Sequence, residues 1–348
     1  MTLIFQLFIA CITSLFVSNS SFAHHGFGVH YDVSKQVEIE GVLQKVQLRN
    51  PHSFLEVLVK SEDGQSQTWV CETQAKSVML RKGISPNRFK EGQRVTVQGS
   101  ASRRTDNHCE VGNIGFADGT NLVFRSNKGR ANIGEFDAVV SNVTGSEAVL
   151  GTWIRAKFKG FPIETNVEQA LTQAGVQANL SYSAVTDDPS NFCIAANPVR
   201  AWIAPGTPTK ISRAGDQVII EHEFMDAKRI LTLHDQPQQQ LATPPNTEYE
   251  PNSLGYSYAK FEDNSLIVHS AGFPTGVLVT QYGKSGVLHS EKMRLVETYS
   301  VNENSGELDY SWQAYDEDYF PTGLKGSLSL QKVNMEIARF NCVFENEQ

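Results

Sequence analysis

VEIEGVLQKVQL, residues Val37–Leu48, alternates apolar and polar side chains around Gly41. A period of two places Val37, Ile39 and Leu43 on one side of an extended chain, the pattern of a half-buried strand. FLEVLV (Phe54–Val59) and QTWVC (Gln67–Cys71) follow in the same style. Asp63-Gly64 between them marks a hairpin turn, because glycine takes positive φ without a Cβ clash. Gln74–Arg81 reads as a short helix with Ala75, Val78 and Met79 on one face, ending at Gly83. RVTVQG (Arg94–Gly99), CEVGNIGF (Cys109–Phe116) and NLVF (Asn121–Phe124) are further strands. Three strands, a helix and two or more strands form the order of an OB-type barrel.

Beyond Arg130 the composition changes. Lys plus Arg against Asp plus Glu is 15 against 11 up to that residue and 15 against 27 after it, so the net −8 divides as +4 and −12. We place a linker at 131–146, between an OB-like barrel at 24–130 and a second domain at 147–348. The second part opens on Val149–Ile154 and offers one amphipathic helix, Asn166–Ala178, with Val167, Ala170, Leu171 and Ala174 on one side. Strands are expected at 209–212, 217–224, 228–233, 255–261, 265–270, 294–301, 307–314, 326–331 and 337–344, separated by Gly, Asp and Asn turns. An antiparallel meander escapes exposed edges by closing into a barrel. The Gln- and Pro-rich stretch Gln236–Pro251 is a long loop over a mouth or flank of that barrel. The fold class is therefore all-β, a small OB-like barrel followed by a larger antiparallel one.

Leu3–Val17 is an apolar stretch followed by Ser18–Ala23, with small residues Ser21 and Ala23 at the positions a signal peptidase reads. This predicts a secretory signal over 1–23 and a mature chain starting at His24, an uncleaved anchor being the alternative. Periplasm or secretion follows, with no transmembrane segment after cleavage. Cys11 leaves with the signal, and Cys71, Cys109, Cys193 and Cys342 remain, an even number in a compartment where disulfides persist. Three pairings are possible. Cys71 with Cys109 and Cys193 with Cys342 is favoured, because each pair then lies inside one proposed domain. Net acidity argues against a nucleic-acid partner, which needs a basic footprint.

His24-His25-Gly-Phe, Tyr31-Asp32, Asn50-Pro51-His52 and FKEGQRVTVQG (Phe89–Gly99) together resemble an uncharacterised family of secreted bacterial proteins, over roughly Ala23–Phe124. Its members typically begin His-His-Ser-Phe, where this chain has Gly26 for the serine. The second half resembles the carboxy-terminal domain of related secreted proteins through Gly255–Val268, His289-Ser290-Glu291 and Cys342, and Gly151-Thr-Trp153 is similar to the Gly-x-Trp start of lipocalin-like barrels. These resemblances imply an address and a shape, and no activity.

Three chemistries are open to these residues. The first is non-catalytic binding of a small apolar or aromatic ligand inside the second barrel, with Tyr256, Tyr258, His289 and Trp312 around it. The second is copper binding: a free amino terminus and the His24 imidazole form a chelate, completed by His25, His30 or His52, a nitrogen set suited to Cu(II). The third is an enzyme on a lipid-like substrate, with His289 and Glu291 as an acid/base pair two residues apart on a strand. Trp153 reads as a barrel-closing residue, and Asp316, Glu317 and Asp318 as a solvated acidic loop. No serine elbow, zinc-protease helix, phosphate loop or dinucleotide fingerprint occurs. Binding rather than turnover is the reading carried forward.

Overall fold

The computed structural model describes residues 30–60, 64–125, 132–139, 143–155, 163–184, 186–204, 206–244, 248–282 and 285–344. The cleavage site, His24 and His25 lie outside them, as does Asp63 of the expected turn.

The first sheet is built from β1 (Tyr31–Gln47), β2 (Ser53–Lys60), β3 (Ser66–Thr73), β4 (Arg94–Ser102), β5 (His108–Phe116) and β6 (Asn121–Val123), with helix α1 (Lys76–Arg81) between β3 and β4. Its order is β3-β2-β1-β4-β5-β6, and a parallel pairing of β3 with β5 returns the sheet on itself. Pairing β3 with β5 closes five strands into a ring, filled by Leu43, Leu55, Val57, Val97, Val111 and Ile114. Cys71 lies opposite Cys109 on the closing pair and is disulfide-bonded to it, so the covalent link spans the seam of the ring. Gly99 sits at a register shift between β4 and β5, where a Cβ would fall 1.9 Å from the Glu110 carbonyl oxygen; only glycine admits this close approach.

The second part holds β7 (Gly151–Ile154), α2 (Val167–Ala170), α3 (Gln173–Ser181), α4 (Pro198–Ile203), β8 (Pro208–Ala214), β9 (Gln217–His222), β10 (Lys228–Leu233), α5 (Pro237–Gln240), β11 (Tyr256–Glu262), β12 (Ser265–Ala271), β13 (Gly276–Tyr282), β14 (Ser285–His289), β15 (Arg294–Val301), β16 (Leu308–Asp316) and β17 (Phe320–Val333). Nine of these strands close a barrel in the order β10-β11-β12-β15-β16-β17-β7-β8-β9. The expected large barrel is there, and several of its details differ. One neighbouring pair, β10 with β11, is parallel, because the long loop before β11 carries the chain back to the opposite end before it pairs. β13 and β14 form a separate hairpin between β12 and β15. The single helix expected over 166–178 is two: Leu171 and Thr172 are extended, the Thr172 amide donates to the Tyr319 carbonyl, and the Thr172 hydroxyl caps α3 through the Gly175 amide. The strand expected at 337–344 is an irregular tail, which among the described residues forms one β-bridge, between Asn50 and Cys342.

That tail helps join the two parts. Asn50 donates its amide to the Phe340 carbonyl and accepts from the Val343 amide at 2.7 Å. Arg81 of α1 pairs with the fully buried Glu223 at 2.7 Å and donates to the Gly206 carbonyl at 2.8 Å. The described stretch 132–139 does not hang free either, since Ile133 is buried and the Val139 amide donates to Lys332 on β17. Cys193 and Cys342 form the second disulfide, completing the favoured pairing.

Candidate functional site

The interior of the large barrel, where a small ligand was expected, is occupied by side chains. Trp153, Trp312, Tyr299, Tyr310 and Phe320 point inward and are closed to solvent. All six residues of α4 are buried, and Trp202 from that helix inserts among them, donating from Nε1 to the Tyr299 hydroxyl at 3.1 Å. Inside this packing lies an ion pair. Arg229 places both terminal nitrogens on Glu297 at 3.0 and 2.5 Å, while Tyr299 and Tyr310 donate to the same carboxylate at 2.7 and 3.0 Å. The four donors compensate the cost of removing the charges from water.

The residues nominated for this barrel do not converge. Trp312 stands opposite Glu297 on the neighbouring strand, in the core. Tyr256 and Tyr258 lie on the outer face, because Ser257 and Ala259 between and beside them take the inward positions. Their hydroxyls donate to the carbonyls of Leu241 (2.5 Å) and Thr243 (3.0 Å), fastening the long loop along the flank. His289 is buried against Phe273 and Gly276, and Glu291 is exposed in the following turn, so the expected acid/base pair is not formed. The carboxylate near His289 is Asp316, which is buried rather than solvated. It accepts from the Ser290 amide and hydroxyl at 2.6 and 2.9 Å and from the Asp318 and Tyr319 amides. Trp153 is a packing residue as expected, with its indole nitrogen on the Val149 carbonyl.

The outer face of the small barrel differs. β3 and β5 run parallel in a register that sets Glu72 beside Glu110, one residue beyond the disulfide pair. Like charges in adjacent strand positions repel, and each carboxylate carries its own compensation. The Tyr31 hydroxyl donates to Glu72 Oε2 at 2.6 Å, and His52 Nδ1 lies 3.3 Å from Glu72 Oε1. Glu110 pairs with the Arg125 guanidinium. Burial raises the Glu110 carboxyl to about 7, with Arg125 opposing that rise. A cleft of about 320 Å³ adjoins this pair, lined by Gln36, Glu38, Gln98, Ser100 and Asn113 as well as Glu110 and Arg125. It lies beside two register shifts, at Asp32/Gln36 in β1 and at Gln98/Gly99 in β4. His52 is 47% exposed, so the cluster reaches solvent.

Tyr31 and His52, which carried the family resemblance in the sequence, therefore meet on one carboxylate. Residues 13–110 match the model of a family of unknown function (DUF6152). The matched segment contains Tyr31, His52, Glu72 and Glu110 and stops short of Arg125. No curated protein matches this chain. Among the described residues no group of three His, Cys, Asp or Glu side chains is arranged to hold a metal ion, and no helix is long and apolar enough to cross a membrane.

Sequence reasoning nominated His52 and missed Glu72, Glu110 and Arg125. A signal was available: pairing Cys71 with Cys109 on neighbouring strands places the next residue of each, both glutamates, side by side.

Proposed function

We propose that this is an exported binding protein rather than an enzyme, and that it takes a transition-metal ion, Cu(II) foremost, on the outer face of its small barrel. The ligands are His52 together with the amino group and imidazole of a chain trimmed to begin at His24, with His25 as a further candidate nitrogen. One observation carries this reading: Glu72 holds Nδ1 of a half-exposed histidine and is itself held by the Tyr31 hydroxyl. A carboxylate on the far nitrogen of an imidazole fixes the tautomer and raises the basicity of the coordinating nitrogen, and such partners contribute 10- to 100-fold to metal affinity. Two disulfides fit the oxidising compartment that export implies. The filled interior of the large barrel disfavours the rival reading, a small apolar ligand held inside it.

The test is a Cu(II) titration of protein purified from the periplasm, with the mature amino terminus read by mass spectrometry. One equivalent is expected to bind to a chain beginning at His24. His52→Ala should weaken binding at least 100-fold, and Glu72→Gln about tenfold. A chain beginning elsewhere, or equal affinity in His52→Ala, refutes the reading.

A further inference from the structure

We propose that the Cys193–Cys342 disulfide is a redox-sensitive latch on the Asn50-Pro51-His52 segment. The two disulfides of the chain stand in opposite situations. Cys71 and Cys109 are fully buried at the seam of the small barrel, whereas Cys193 and Cys342 are each partly open to solvent. Thiol–disulfide exchange requires access of a thiolate to sulfur, so a small dithiol discriminates between them.

Cys342 lies in the middle of the tail that grips Asn50. Phe340 before it accepts the Asn50 side-chain amide, and Val343 after it donates to the Asn50 carbonyl. On the other side, Asn50 Oδ1 accepts the Ser77 amide at 3.0 Å, which ties the same residue to the start of α1. Asn50 is itself buried. Arg49 and Ser53 close the segment, the Ser53 hydroxyl lying 3.1 Å from both the Arg49 amide nitrogen and its carbonyl oxygen. His52 thus stands in a short loop whose buried Asn50 is shared between α1 and the tail. Within the large barrel the tail has two further holds. The Phe340 and Asn341 amides donate to Asp226, and the Phe340 ring packs on Phe224. The disulfide acts beyond them, at the position that bridges to Asn50.

In the step itself, a thiolate of an external dithiol attacks one sulfur and forms a mixed disulfide. Its second thiolate then resolves that bond. The dithiol becomes a cyclic disulfide, its two electrons reduce the bond, and two protons from solvent complete the thiols of Cys193 and Cys342. Opening the bond frees the tail downstream of Asn341, removes the Val343 hydrogen bond and loosens Asn50 and the loop carrying His52. That the loosened loop also binds copper less well rests on the metal reading above.

Hydrogen exchange of the folded full chain, before and after treatment with dithiothreitol without denaturant, tests the latch directly. Alkylation and mass spectrometry should find thiols at Cys193 and Cys342 alone. The Val343 and Ser77 amides should then exchange at least tenfold faster, with the β2–β3 ladder unchanged. A disulfide that resists the dithiol, or a Ser77 amide that keeps its protection once Val343 has lost its own, overturns the proposal. A Cys193→Ser/Cys342→Ser variant should behave as the reduced protein does; should it fail to fold, the dithiol experiment on the native chain decides. Copper titration of the native protein and of the Cys193→Ser/Cys342→Ser variant, both free of dithiol, separates the two readings: no binding by the native protein defeats the metal assignment and leaves the exchange result standing, whereas equal binding by the folded variant defeats only the coupling to His52.

Discussion

Each barrel buries an arginine–glutamate pair, and the two pairs are set in opposite ways. In the large barrel Arg229 and Glu297 are 2% and 0% exposed, surrounded by tyrosines and tryptophans that leave no route to solvent. In the small barrel Glu110 is 4% exposed, but Arg125 beside it is only partly covered, and a cleft and a half-exposed histidine adjoin them. A polar cluster inside a fold is therefore not by itself a place for ligands. What distinguishes the two is whether the charged groups are sealed from solvent or border a cleft that opens to it.

The largest effect separating the barrels should come from Glu297→Ala. It leaves Arg229 without a counter-charge in a dry core, and a loss of about 3–5 kcal/mol is expected. Glu72→Ala on the small barrel should cost under about 1 kcal/mol, because water replaces the lost partner. Urea unfolding of both variants measures the contrast, and equal losses would erase it. Second in size is the Cys71→Ser/Cys109→Ser pair. It opens a link across 38 residues at the ring seam, where about 4 kcal/mol is expected from the same assay.

Acid should pull the two barrels apart. Burial lowers His222, inside the large barrel, to about 3. The folded state then binds fewer protons than the unfolded chain between about pH 6.5 and 3, so stability is lost as pH falls through that window, by about 3 kcal/mol from pH 7 to pH 4. Glu110 works in reverse. Its carboxyl is raised to about 7, the folded state holds a proton that the unfolded chain releases, and stability falls as pH rises from about 4.5 to 7, by about 3 kcal/mol. Thermal unfolding of His222→Gln and Glu110→Gln across pH 4–7.5 should flatten one slope each. A Glu110→Gln profile identical to the wild type would show that Arg125 keeps the carboxylate ionised.

Most of the strands were legible because a period of two survives in both halves. It even located the central ion pair, unnoticed: Arg229 shares a strand face with Leu231, and Glu297 shares one with Leu295 and Tyr299, so both charges had to point inward. Tyr256 and Tyr258 fall on the opposite parity from Ala259, which puts them outside, and the same test would have removed them from a ligand site. Other features were not legible. The parallel β10–β11 pairing depends on where a long loop returns, and Arg125 meets Glu110 through tertiary placement that no local spacing encodes. The break between α2 and α3 is fixed by the Tyr319 carbonyl, far along the chain.

β7, the first strand of the large barrel, pairs on one side with β8 and on the other with β17, where Ile154 meets Gln331. The cylinder is therefore welded shut by its earliest and latest segments. Until Val333 has emerged, whatever machine delivers the polypeptide holds a curved sheet with two bare edges, each able to template adhesion to a neighbouring chain. Shielding that half-made wall during delivery is a demand written into the connectivity itself, whatever the finished molecule binds.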